Sequence, residues 1–127
     1  MENFKTFEDL ECWKEARKLR IHVKINILSK FPKNEKFDLT LQLSRSSRSI
    51  GNNISEGFGR FHYQENIQFC RIARGSLTET LDHCIIAFDE SYISQDELLE
   101  VRKIYNKTLL LLNGYIKYLN TKKQIND

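Results

Sequence analysis

All-α is the fold class this sequence predicts, and three observations predict it. Apolar residues recur at three-and-four spacing along most of the chain, and no stretch shows the alternation of a half-buried strand. The 127 residues include one proline and only five glycines, few turn formers for a chain this size. Leu, Ile, Lys and Glu are frequent, which favours long helices over many short strands. A chain of this length makes one domain, burying about two-thirds of the surface its unfolded form exposes.

Four helices are expected in order, over about residues 7–30, 38–56, 63–90 and 95–120. The first opens at Thr6, where Thr6-Phe7-Glu8-Asp9 has the form of a capping box. Cys12, Ala16, Leu19, Val23 and Ile27 make one continuous apolar stripe, and Leu10, Ile21, Ile25 and Leu28 fall on nearly the opposite face. A helix packed on one side needs one apolar face. Two faces predict that this helix packs inward and also meets another subunit. Phe31-Pro32 stops it, because proline biases the preceding residue away from helix.

The second helix has an inner face of Leu39, Leu43, Ser46, Ser47, Ile50 and Ile54, with two small serines that let a neighbour approach closely. Its outer face carries Arg45, Arg48 and Asn52. It ends in SIGNNISEGFGR, Ser49 to Arg60, which holds three of the five glycines. No Lys-Ser/Thr pair follows the glycines and no strand precedes them, so this is not a phosphate-binding P-loop. Gly57 is expected to supply the left-handed residue that ends the helix, with Gly59 opening the turn.

The third helix keeps its stripe through Ile67, Cys70, Ala73, Leu77, Leu81, Cys84 and Phe88, leaving Phe69 and Ile72 off it and in need of a partner. Ser94-Gln95-Asp96-Glu97 is a second capping box. It opens a fourth helix striped by Leu98, Val101, Tyr105, Leu109, Leu112, Ile116 and Leu119. The polar tail TKKQIND is expected to fray. Helices of this length on short loops predict an antiparallel up-down four-helix bundle.

The function classes narrow mainly by exclusion. The net charge is +3 with 29% charged residues, so the distribution of charge matters more than its sum. The N-terminal stretch lacks the basic-then-apolar design of a secretory signal, and no apolar run approaches the roughly 20 residues of a membrane span. Cys12, Cys70 and Cys84 form no disulfide-like pattern and read as reduced, buried thiols. A cytoplasmic chain without membrane contact is expected. Cys and His fail every zinc spacing, and no glutamate lies three residues before His22, His62 or His83, as a di-metal bundle requires. No metal or cofactor is expected. Glu79 and His83, one turn apart, read as a surface pair.

Arg17 followed by His22 has the form of an arginine–histidine pair found in some helical nucleases. Arginine would stabilise phosphorane charge and histidine would transfer protons. Lysine follows Arg17 where such enzymes favour a polar residue, so chance spacing explains the match better. No catalytic residue is assigned. Arginine placement is the remaining signal. Between Leu39 and Gly75, Arg45, Arg48, Arg60, Arg71 and Arg74 face only Glu56 and Glu65. The planar guanidinium suits phosphates and carboxylates alike. These five are the candidate nucleic-acid-binding residues. A solvated face, or pairing with carboxylates such as Glu8, Asp9 and Glu97 of another subunit, is the competing account.

The segments FEDLECWKEARKL, FPKNEKFDLTLQLSRSSRSIGNNISEGFGR and FCRIARGSLTETLDHCIIAFD, in this order and spacing, resemble the proteins encoded in intervening sequences of bacterial 23S ribosomal RNA genes, the S23 family. The likeness runs from about Phe7 to Tyr92, and the last helix matches only in character. Many members carry proline where this chain has Gly51. The resemblance implies a left-handed bundle assembling as a homopentamer. It also implies a likeness in shape to the accessory variability determinant of diversity-generating retroelements, a basic pentamer that works with a reverse transcriptase and nucleic acid. Residues that recur in the family are Asn53, Glu56, Gly57, Arg60, Gly75, Ser76 and Glu79. A close helix crossing is the expected reason for Gly75-Ser76. The functional expectation is a non-enzymatic homo-oligomer that binds RNA or DNA phosphates, with a protein-binding scaffold as the alternative.

Overall fold

The computed structural model describes residues 4–126, and its first α-helix starts later than the Thr6 signal suggests. Thr6 does cap, but it caps a single 3-10 turn, Phe7–Asp9. Its hydroxyl accepts from the Glu8 amide at 3.0 Å, and the Asp9 carboxylate accepts from the Thr6 amide at 3.2 Å. Leu10 is then extended and its side chain turns into the core. Helix α1, Glu11–His22, follows, and continues into a π-helical stretch, Val23–Ile27, and a 3-10 turn, Leu28–Lys30.

These departures correct the expectation of a second apolar face. Leu10 lies outside the helix and is buried. The wider π turn changes the helical phase, and Leu28 packs against the core. Of the four residues assigned to that face, Leu10 is buried, Ile21 and Leu28 are half-buried, and Ile25 is exposed at 62%.

Helix α2, Leu39–Gly59, buries every residue of its expected inner face. It runs past Glu56, and no described glycine has a positive φ. The left-handed turn residue is Phe61 (φ 59°), not Gly57. Gly57 serves a different purpose. A Cβ there would lie 2.7 Å from Asn66 Oδ1 and 2.9 Å from Phe69 Cβ, so only glycine lets α2 approach helix α3, Tyr63–Asp89, this closely. Phe69 is left half-buried, its Cβ side against Gly57. Gly75, expected at a close crossing, is exposed with nothing within 4 Å of its Cβ position; its neighbour Ser76 is the buried residue.

Helix α3 ends with Ser91 left-handed (φ 65°) and the Tyr92 amide donating to the Ala87 carbonyl at 2.8 Å, the 6→1 bond of a Schellman motif. Helix α4, Gln95–Asn126, opens on the predicted box, with Glu97 N–H donating to Ser94 Oγ at 3.1 Å and Ser94 N–H to Glu97 Oε1 at 2.7 Å. It continues through the tail that was expected to fray.

The four helices close a ring of contacts, α1 on α2, α2 on α3, α3 on α4 and α4 on α1, with no strand among the described residues. The α2–α3 seam is the most extensive, and hydroxyls line it. Ser46 and Thr80 oxygens are 3.0 Å apart, and those of Ser49 and Ser76 2.7 Å. The Thr80 hydroxyl also donates to the Ser76 carbonyl at 2.8 Å. No described helix is long and apolar enough to cross a membrane.

Candidate nucleic-acid interface

The five arginines singled out from the sequence do not share one surface. Arg45 and Arg48 sit one turn apart on α2, both exposed and without an ion pair among the described residues. Arg48 turns toward α1. Arg60 is held between carboxylates, its Nε 3.4 Å from Glu56 Oε2 and its Nη1 3.8 Å from Glu65 Oε2. Its guanidinium also lies 5.0 Å from the centroid of the Phe69 ring. Arg74 faces α4 and donates to Asn113 Oδ1 at 2.8 Å. Arg71 is exposed on the outer side of α3. The sequence thus picked out one exposed pair on α2, and three other arginines in separate surroundings.

The cations that join Arg48 come from α1 and its π extension. A cleft of about 360 Å³ between α1 and α2 is lined by Arg20, Lys24, Arg48, Ile21, Leu28 and the serines Ser44 and Ser47. A smaller pocket of about 50 Å³ adjoins it, sharing Arg20, Ser47 and Arg48 and adding Trp13, Arg17, Gly51 and Asn52. No aspartate or glutamate lines either. The lysines of α1 behave differently. Lys14 pairs with Glu11 at 2.8 Å and Lys18 with Glu15 at 3.8 Å, while Lys107 reaches Glu15 from α4 at 3.8 Å. Acids neutralise one side of α1 and leave the other basic.

Arg17, Arg20 and Lys24 repeat at i, i+3 and i+7, the same spacing as Arg45, Arg48 and Asn52. That matching pattern was the available signal for the cleft. The Arg17–His22 spacing masks it. The structure parts the two. His22 Nδ1 lies 3.2 Å from Asn26 Nδ2, in a groove with Asp96, Glu97 and Glu100. Arg17 faces the α2 side.

The cleft floor is built from small residues of α2. Ser47 is buried and donates to the Ser44 carbonyl at 3.1 Å. At Gly51 a Cβ would lie 3.4 Å from Trp13 Nε1. The indole packs edge-to-face with Phe7, centroids 5.1 Å apart. Its N–H makes no hydrogen bond among the described residues.

The other reactive side chains are sequestered. Cys12, Cys70 and Cys84 are free and buried, and burial pushes each thiol up to about 12. Thiols so protonated at neutral pH are poor nucleophiles. His83, read from the sequence as half of a surface pair, is instead buried. Its Nε2 lies 3.1 Å from Glu79 Oε2, while Nδ1 is buried without a partner. Helix α3 therefore buries a wider polar arc than its apolar stripe indicated. Among the described residues, no three His, Cys, Asp or Glu side chains gather in a group that could hold a metal ion.

Comparison with solved structures finds the same fold in a crystallised protein of unknown function from the S23 ribosomal protein family of Bacteroides thetaiotaomicron VPI-5482. That match has a TM-score of 0.74 at 20% sequence identity and covers 84% of this chain and 98% of the other. No curated protein matches the sequence. The model of the 23S rRNA-intervening sequence protein family matches residues 8–114. With most of its length covered by that match, the chain belongs to the 23S rRNA-intervening sequence protein family.

Proposed function

We infer that the protein is a non-enzymatic, cytoplasmic homo-oligomer that binds RNA or DNA phosphates with little sequence preference. The observation that carries this reading is the α1–α2 surface, where Arg17, Arg20, Lys24 and Arg48 have no acidic partner, with Arg45 exposed one turn before Arg48 on α2. Unneutralised cations on one side of a small domain attract polyanions through counterion release. The bundle is taken as antiparallel and up-down in one domain. The pairing of residue 46 with 80 and 49 with 76 across α2 and α3 supports this. Assembly into a pentamer rests on the family resemblance. Several copies would multiply a weak basic face by avidity. Three buried, reduced thiols suit the cytoplasm.

The test is fluorescence anisotropy with structured RNA, duplex DNA and single strands across a salt series, on protein of measured oligomeric mass. Wild-type affinity should fall steeply with salt. Arg45→Glu with Arg48→Glu should weaken binding at least about tenfold while leaving the assembly mass unchanged. Binding that persists in this variant would remove the α2 arginines from the account.

A protein-binding scaffold is the second reading. It is favoured by Arg60, which already engages two carboxylates rather than standing free. On that reading the same double substitution disrupts the oligomer or the capture of a protein partner, and duplex RNA does not compete.

A further inference from the structure

We propose that the smaller pocket at the Trp13 end of the α1–α2 cleft is a phosphoryl-anion subsite, formed by the guanidinium groups of Arg17, Arg20 and Arg48 with the indole N–H of Trp13, and that it seats a phosphodiester of a bound single strand. Four features of the cleft converge on that chemistry.

Its charge is of one sign, because the acids of α1 are occupied elsewhere. Glu11 and Glu15 hold Lys14, Lys18 and Lys107 on the side away from α2. Its polar groups are mainly donors. Three guanidiniums and an unpartnered indole N–H surround a space that adjoins a cavity of about 360 Å³. Arginine offers a planar fork that matches phosphate oxygens in pairs. Its floor is small, since Ser44, Ser47 and Gly51 keep α2 from filling the gap that the long α1 side chains leave. Its aromatic is beside the cations, the combination that lets a groove track a single strand and contact its bases. Lys24, one turn beyond Arg20, extends the basic lining along the cleft.

The proposal deepens the nucleic-acid reading and rests on it for the source of the phosphate, not for the existence of the site. Trp13 is the only tryptophan in the chain, so its signal reports on this cleft alone. The experiment follows the Trp13 indole ¹H–¹⁵N peak of the full-length protein. Titrants are an oligouridylate of about ten nucleotides, inorganic phosphate, and an oligoglutamate peptide of matched charge.

The expected result is a saturable shift with the oligonucleotide and a weaker one with phosphate. The oligonucleotide affinity should fall with salt, the one seated phosphodiester contributing about −0.7 to the logarithmic slope. Arg20→Glu should weaken binding about tenfold. Gly51→Ala places a methyl against the indole nitrogen and should weaken binding similarly. Replacing a mid-helix glycine should meanwhile raise the thermal midpoint by about 3–5 °C, which separates a blocked site from a damaged fold.

A peak that stays still while anisotropy reports RNA binding would overturn the subsite and leave the nucleic-acid reading standing. A shift with phosphate and no RNA binding would uphold the subsite and sink that reading instead. A shift with oligoglutamate alone would overturn the phosphate assignment.

Discussion

Helix α2 carries small residues on both flanks, and the two flanks meet opposite fates. Toward α3, Ser46, Ser49 and Gly57 face Thr80, Ser76 and Asn66, and the helices close until hydroxyls touch hydroxyls. Toward α1, Ser44, Ser47 and Gly51 face Trp13, Arg17 and Arg20, and a basic cleft remains. Small residues permit proximity; an uncharged partner that can pack or hydrogen-bond brings it about. Where the opposite helix is long-chained and charged, like charge and side-chain bulk hold the gap open. One helix therefore builds a closed structural seam on one side and an open candidate site on the other.

Gly57, on the closed flank, gives the sharpest way to break this comparison. Gly57→Val should cost about 3 kcal/mol, because the added carbons have no room against Asn66 and Phe69. Equilibrium urea unfolding measures it, and an unchanged midpoint would show that the seam can open freely. Thr80→Val comes next. It removes a buried hydroxyl that contacts both Ser46 and the Ser76 carbonyl. A loss of about 1–1.5 kcal/mol is expected by the same measurement, with oligonucleotide affinity unaffected. The smallest effect has the opposite sign. Gly75→Ala, on the exposed side of α3 with open space around it, should stabilise the monomeric fold by about 0.8 kcal/mol. If it instead weakens the assembly, a neighbouring subunit covers that position.

Much of the fold was legible because burial follows periodicity. The stripe of α2 from Leu39 to Ile54 is buried as its spacing predicts, and Ser94 caps α4 as its motif predicts. The misses have specific physical causes. Gly57 was read as a helix terminator because glycine favours left-handed backbone, yet it is also the residue that lets two helices touch. Sequence spacing does not separate these roles. Phe61, a bulky residue, takes the left-handed conformation instead. His83 is buried because α3 packs over a wider arc than its apolar stripe reveals.

The candidate site was legible only in part. Arg45 and Arg48 were identified from one helix, since residues one turn apart share a face whatever surrounds them. Arg60, Arg71 and Arg74 join them in the sequence reading because an antiparallel hairpin brings the start of α3 near the end of α2. Their helical phase sends Arg60 to Glu56 and Glu65, Arg74 to Asn113, and Arg71 outward. Arg17 enters the sequence reading only through a chance-spaced match with His22, which faces an acidic groove on the α4 side, and Arg20 carries no sequence assignment at all.

By itself, the sequence determined the helical class, the approximate helix spans, most of the buried stripes and the capping of α4, because each depends on residues within a few turns of one another. Tertiary structure decided which helix flank closes, which arginines find a counter-charge, and which cations gather around Trp13. Those outcomes depend on the phase at which two helices meet. Phase is sensitive to a single π turn, such as Val23–Ile27, that local spacing does not announce.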